Sequence, residues 1–164
     1  MLRALLVAAS LLLLTDISFA QWFETSKGSD FEENPMHLAV TVQGSYGLGL
    51  KCQGDSKILV FLTPEKVSDA TLIKMMNTVG VKLRIRVDGG KILDLDAKAD
   101  TTANGDNLNL SADVESSLFS TFRDAKTKIS VVTTALDKNF HETTFNTRGS
   151  AKAVGKIMKD CKIN

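Results

Sequence analysis

Val81-Lys82-Leu83-Arg84-Ile85-Arg86-Val87-Asp88-Gly89-Gly90-Lys91-Ile92-Leu93-Asp94-Leu95-Asp96-Ala97 holds two runs that alternate apolar and polar residues on either side of Asp88-Gly89-Gly90. That two-residue period is the mark of half-buried strands. With the three central residues as the loop, Ile85 stands opposite Leu93 and Leu83 opposite Leu95, while Arg84 faces Asp94 and Lys82 faces Asp96. One face is then apolar and the other pairs opposite charges across the strands. A two-residue loop would misalign both faces, and three-residue hairpin loops with a left-handed glycine are common. The prediction is an antiparallel hairpin over 81–97.

Toward the N-terminus, Trp22-Phe23 opens a first strand that runs into a polar loop ending at Pro35. Met36 to Gln43 alternates Leu38, Val40 and Val42 against His37, Ala39 and Thr41, a half-buried strand with the larger apolar side chains expected inside. A turn over Gly44 to Gly47 leads to a strand with Leu48, Leu50 and Cys52 on one face. Ile58 to Leu62 follows as a more continuously apolar strand, expected to be central. Thr63-Pro64-Glu65 is a candidate start for a short helix, with proline at the first helical position. The stretch up to Val79 fits neither period cleanly.

Toward the C-terminus, Asn104-Gly105-Asp106 marks a turn, and Ser111 is the expected N-cap of a short helix carrying Val114, Leu118, Phe119 and Phe122 on one side to about Lys126. Ile129 to Thr133 and Phe140 to Phe145 read as strands joined through Asp137-Lys138-Asn139. A last helix follows Gly149-Ser150 with Ser150 as its expected cap. Val154, Ile157, Met158 and Cys161 sit at the i, i+3, i+4, i+7 positions of its inner face, and Lys152, Lys156 and Lys159 line the other. The fold class expected is mainly β (α+β): an antiparallel β-sandwich-like domain, or curled sheet, with a short internal helix and a C-terminal helix.

Both cysteines fall among residues expected to be buried, Cys52 on a strand and Cys161 on the last helix. Two independent periodicities therefore predict a Cys52–Cys161 disulfide tying that helix to the sheet. Closing a loop of about 110 residues contributes roughly 4.7 kcal/mol by chain entropy, less any native strain. A redox or nucleophilic thiol is the poorer reading, because no Cys-x-x-Cys pair and no identifiable histidine partner accompany it.

Paired cysteines of this kind belong to an oxidising compartment, and the N-terminus predicts the same address. Arg3 precedes an apolar run from Ala4 to Leu14 broken only by Ser10, and the segment ends Ser18-Phe19-Ala20. These are the three parts of a secretory signal over 1–20, with cleavage after Ala20. The run is too short for a permanent anchor, which needs roughly 20 residues, and Gln21 rather than cysteine at the first mature position argues against a lipid tether. Residues 21–164 are then one β-rich domain in the periplasm or secreted. Removing Arg3 and Asp16 from the 20 basic and 19 acidic residues leaves 19 and 18. That balance lacks the basic footprint expected of a nucleic-acid or acidic-membrane partner.

No residue set reads as catalytic, cofactor-binding or metal-binding. Asp88, Asp94, Asp96 and Asp100 do not follow EF-hand spacing, and two of them have basic partners across the hairpin. His37 and His141 are the only histidines, too few for a metal site without further donors. His141-Glu142 on a strand points to opposite faces. Gly44, Gly47 and Gly49 are not in the order of a phosphate-binding loop and read as turn and strand-edge glycines. No serine stands in G-x-S-x-G. Asn109-Leu110-Ser111 matches the glycosylation acceptor pattern, which matters only in a eukaryotic secretory pathway.

Trp22, Cys52, the run Arg86-Val87-Asp88-Gly89-Gly90, Phe140 to Phe145, Gly149 and Cys161 together give a chain that resembles the VasI-like family, small exported bacterial proteins associated with type VI secretion loci. The resemblance implies a periplasmic, β-rich, non-enzymatic accessory domain, and no catalytic motif comes with it. The chain departs from the family over Val67 to Val79. The expected role is therefore a cell-envelope accessory or binding protein whose partner is another envelope protein. An inhibitor or immunity-type protein is the first alternative, with Glu65-Lys66 and Asn104-Gly105-Asp106 as candidate loops. A hydrolase with a dispersed site around His37 or His141 is the second.

Overall fold

A computed structural model describes residues 21–164 except Asp30, Ser68 and 103–106, so the expected signal segment 1–20 and the expected turn at Asn104-Gly105-Asp106 lie outside the described residues. The described chain forms nine strands and three helices: β1 (Phe23–Lys27), β2 (Met36–Gln43), β3 (Tyr46–Gln53), β4 (Ser56–Lys66), α1 (Ala70–Val79), β5 (Val81–Val87), β6 (Ile92–Thr101), β7 (Asn107–Asp113), α2 (Ser116–Asp124), β8 (Lys128–Ala135), β9 (Lys138–Asn146) and α3 (Ser150–Asp160). The strands follow one antiparallel order, β1-β2-β3-β4-β7-β6-β5-β8-β9.

The hairpin over 81–97 has the expected register: Ile85 opposite Leu93, Leu83 opposite Leu95, Arg84 opposite Asp94 and Lys82 opposite Asp96. Its second strand then changes partner. Ile92 to Ala97 pairs with β5, whereas Lys98 to Thr101 pairs with β7. This strand is the corner at which the sheet turns back on itself, as strands that switch sheets do in sandwiches. The two halves meet face to face, with Phe61 of β4 edge-on to Phe145 of β9 at 6.3 Å. Between them lies a core that includes Leu48, Leu50, Leu59, Leu83, Ile85, Leu110, Ile129 and Val131, all buried.

One end of this sandwich is closed by α2 and α3. Leu118, Phe119 and Phe122 from α2 meet Ala153, Val154, Ile157 and Met158 from α3. Trp22 packs edge-on to Phe122 at 5.9 Å, and its indole Nε1 donates to the carbonyl of Asn146. Cys52 and Cys161 form the expected disulfide, which ties the C-terminal end of α3 to β3. Cys52 is fully buried and Cys161 half-buried.

Four local expectations fail, each for a tertiary reason. Thr63-Pro64-Glu65 does not start a helix: β4 continues to Lys66. The Thr63 hydroxyl donates to the Leu108 carbonyl and Asn107 Nδ2 donates to the Thr63 carbonyl, which hold this segment against β7. Pro64 sits where the register slips between Leu62 and Lys66, so its missing N–H removes no ladder bond. The helix begins later, at Ala70, with the Asp69 carboxylate accepting from Thr71 N.

Ser111 caps no helix either, because it lies inside β7, paired with Val60 on one side and Lys98 on the other. The N-cap of α2 is Glu115 and the helix ends at Asp124. Gly149 rather than Ser150 caps α3. Its φ of 82° is left-handed, and a Cβ there would stand 2.9 Å from the Trp22 carbonyl oxygen, so both backbone and space require glycine.

The fourth failure concerns β2. Ala39 and Thr41 are fully buried, whereas Leu38 and Val40 are half-buried and Val42 is exposed. Ala39 pairs with Leu50 and Thr41 with Leu48, so the small side chains point inward beneath α3. Of the three glycines near this strand, only Gly44 is a turn residue. Gly47 and Gly49 lie within β3, an interior strand, and face outward with Leu38 and Val40.

Candidate functional site

The outward phase of β2 places an apolar field on the outer face of β1–β4. Register builds it in rows across the sheet. Phe23, Val40, Gly49, Val60 and Ser111 form the first; Val42, Gly47, Leu62 and Asn109 the second; Thr25, Leu38, Lys51, Ile58 and Asp113 the third. Leu38, Val40, Ile58, Val60 and Leu62 occupy the middle together with the two glycines, Lys51 interrupts the third row between Leu38 and Ile58, and Thr25, Ser111, Asn109 and Asp113 stand at the margins. An apolar centre ringed by polar groups is the anatomy of a protein interface. Phe23 and Val42 are 52% and 49% exposed, and Leu38, Val40, Ile58, Val60 and Leu62 are half-buried. The two glycines let Leu38 and Leu62 lie over β3: a Cβ at Gly49 would be 3.1 Å from Leu38 Cδ1, and one at Gly47 3.3 Å from Leu62 Cβ. The field is flattened as a result.

A second feature lies at the end of the sandwich away from α2 and α3, between α1 and the β8–β9 turn. α1 carries Leu72, Ile73, Met75, Met76 and Val79, yet none of its residues is buried. Leu72, Ile73 and Met76 pack, partly buried, against the core, and Leu72, Met75, Met76 and Val79 form one wall of a groove of about 370 Å³. Leu136 and Phe140 form the other wall, and Leu108 and Thr133, both buried, lie at the base. Asn77 holds the helix in place: its Nδ2 donates to the Ala99 carbonyl and its Oδ1 accepts from Ala99 N, at 2.9 and 2.7 Å. These are the backbone groups β6 offers beyond the end of its pairing with β5, so a side-chain amide continues the ladder where the strand stops.

The polar groups of this groove are few. His141 Nε2 donates to Glu65 Oε2 at 2.6 Å, and the imidazole packs edge-on to Tyr46. His141 has a left-handed φ of 50° and follows the point where the β8–β9 register slips. The Thr133 hydroxyl, enclosed at the base, has no hydrogen-bond partner among the described residues. Lys138 stands at the mouth. A larger hollow of about 430 Å³ on the outer face of β5 and β6 is lined by Lys82, Arg84, Asp94 and Asn139, and Arg84 and Asp94 there already satisfy each other at 2.7 Å.

The remaining candidates from the sequence are accounted for as follows. His37 Nδ1 lies 2.9 Å from Ser26 Oγ and 3.6 Å from Asp160 Oδ2. Both partners share one ring nitrogen, whereas a proton relay needs the base between partners on its two nitrogens. Asp94 and Asp96 pair with Arg84 and Lys82. Asp100 accepts from Thr101 N. Asp88 accepts four hydrogen bonds, from the backbone of Lys126, Thr127 and Lys128 and from the Thr127 hydroxyl, and these hold its carboxyl far below the usual carboxylate range. Among the described residues no three potential metal ligands come together. Asn109 lies in β7 between β4 and β6 with its Oδ1 enclosed, an unfavourable place for a glycan. Glu65-Lys66 ends a strand rather than projecting as a loop.

Family models, curated proteins and solved structures offer no match to this chain. Its two candidate surfaces therefore stand on their own geometry. Neither was legible in the sequence alone. The signal for the apolar field was the co-occurrence of Leu38, Val40, Ile58, Val60 and Leu62 with two glycines on neighbouring strands, legible only once register is known. The signal for the groove was a short helix with large apolar residues at five of ten positions.

Proposed function

We propose that this chain is an exported, non-enzymatic accessory protein of the cell envelope that works by binding a protein partner. The observation that carries the reading is the outer face of β1–β4, an apolar field with a polar margin that no helix of the chain covers among the described residues. The disulfide supports an oxidising compartment, and no described helix is long and apolar enough to cross a membrane. An association with type VI secretion rests on the resemblance to the VasI-like family alone. The residues that carry it are structural in this chain: Trp22 and Cys52 are buried, Asp88–Gly90 forms a turn, and Gly149 makes room for Trp22.

The reading is tested by affinity capture from a native envelope fraction with the wild type and with Phe23→Asp/Val42→Asp. Both side chains are half exposed, so the pair should leave folding intact while placing two charges in the field. Capture by the wild type and its loss in the double variant is the expected result. An empty capture, together with turnover of an envelope substrate that His141→Ala abolishes, would replace binding by hydrolysis at the His141–Glu65 pair.

An inhibitor is the second reading, favoured by one observation. Phe31, in the loop between β1 and β2, is 96% exposed, an aromatic side chain projecting from a loop tip. Loss of capture in Phe31→Ala with the Phe23/Val42 variant unaffected would select it.

A further inference from the structure

We propose that Gln21 is a modification site: once residues 1–20 are removed, its α-amine closes on its own side chain to give pyroglutamate, and the N-terminus of α3 promotes the closure. The inference rests on the export reading, since it needs cleavage after Ala20. Gln21 is exposed, whereas Trp22 beside it is buried. The Trp22 backbone N–H donates to the Arg148 carbonyl at 2.9 Å and its indole N–H to the Asn146 carbonyl at 3.0 Å. The chain is thus fixed at Trp22, and after cleavage one residue projects ahead of that anchor.

That residue lies over the N-cap of α3. A Cβ placed on Gly149 would stand 3.2 Å from Gln21 Cγ and 3.5 Å from its Nε2, with the Trp22 carbonyl oxygen at 2.9 Å. Gly149 has no side chain with which to cap the helix, and the first turn of α3 holds no acidic residue. The N–H groups of Ala151 and Lys152 have no acceptor among the described residues, so this helix end keeps its positive partial charge. Arg148 and Lys152, the charged residues on either side of the cap, are both basic, and Glu24, the nearest acid along β1, is three residues further on. An ammonium group at Gln21 is disfavoured in that field. The amine is held toward its neutral, nucleophilic form, and the uncharged lactam removes the repulsion altogether.

The step balances within the residue. The amine nitrogen bonds to Cδ as the Cδ–Nε2 bond breaks, and Nε2 leaves as ammonia with the proton that the amine gives up. No oxidant, metal or second substrate enters. Closure also protects the fold. Trp22 packs on Phe122 and joins β1 to the corner between β9 and α3, so an aminopeptidase that took Gln21 would next reach a residue of the core. A lactam offers such an enzyme no free amine.

Mass spectrometry of the protein exported from the full-length chain, at isolation and after incubation at neutral pH, tests the proposal. The expected product is residues 21–164 with the disulfide formed, lighter by one ammonia, the loss mapping to Gln21 in the N-terminal peptide. Gln21→Asn should keep its full mass, because the shorter side chain cannot close an unstrained lactam. A persistently free Gln21, or cleavage at another bond, overturns the proposal and leaves export standing; a chain recovered with residues 1–20 attached overturns both. The part played by α3 is read from the rate in freshly exported protein. Ala151 is exposed in the first turn of the helix, and Ala151→Glu should slow cyclisation at neutral pH by about two- to fivefold, since a carboxylate there stabilises the ammonium. Above about pH 9, where an α-amine of ordinary pKa about 8 is neutral in both proteins, the two rates should coincide. Equal rates at neutral pH, or a difference that persists in alkali, would refute the assistance of α3.

Discussion

Asp88 does two jobs with one backbone conformation. Its φ of 51° lets the β5–β6 hairpin turn, and the same geometry aims its carboxylate at the N–H groups of Lys126, Thr127 and Lys128, where the chain passes from α2 into β8. Those donors favour the ionised form, so the folded-state carboxyl titrates below its unfolded value. The contribution to stability is therefore present above about pH 4 and is lost as the pH falls below that value. Asp88→Asn should melt at a lower temperature than the wild type at neutral pH, and its melting temperature should fall less steeply in acid. Thermal melts by circular dichroism across the acid range check this, and parallel wild-type and variant curves would refute it. The sequence showed Asp88 as a turn residue only, because its other partners lie 38 to 40 positions away.

α1 shows how an element can be held without being buried. None of its residues is inaccessible, and Asn77 joins it to β6 by the paired bonds with Ala99. Asn77→Ala leaves the Ala99 N–H and carbonyl unpaired, a loss of about 1–3 kcal/mol for groups of this kind. Local unfolding makes the outcome specific: amide exchange should quicken across Ala70–Val79 while the amides of β3, β4 and β8 keep their protection. Uniform acceleration throughout the sheet would show instead that α1 belongs to the global unit. The helix was illegible because its apolar residues divide between the core, against which Leu72, Ile73 and Met76 pack only partly buried, and the groove, where Met75 and Val79 stay exposed. The β5–β6 hairpin was fully legible, since its two faces differ in both hydrophobicity and charge and only one register satisfies both. β7 fell between these cases. Leu108, Leu110 and Ala112 keep a strand's alternation, but Ser111 also has the local chemistry of a helix cap, and pairing on both edges overrode it.

For the molecule as a whole, the Cys52–Cys161 disulfide closes a separation of 109 residues, from the third strand to the end of the last helix. It therefore closes a loop over about two thirds of the 164-residue chain in the unfolded state. Cys52→Ala/Cys161→Ala should lose about 2–5 kcal/mol in urea unfolding, and reduction of the wild type should have a comparable effect. An unchanged midpoint would mean that packing of α3 on β2 and Trp22 holds the end of the sandwich unaided. What the sequence by itself determined was the periods of most strands and of α2 and α3, the register of one hairpin, and, through the inward faces of β3 and α3, the two cysteines that meet. Tertiary structure alone decided which phase of β2 faces inward and where β6 changes partner. It also decided which apolar residues remain outside. A two-residue period has two phases, and when both faces carry apolar side chains the choice falls to the elements that pack above them. Here α3 and the disulfide take the small-residue face of β2, and Leu38, Val40 and Val42 are left on the outer, apolar face.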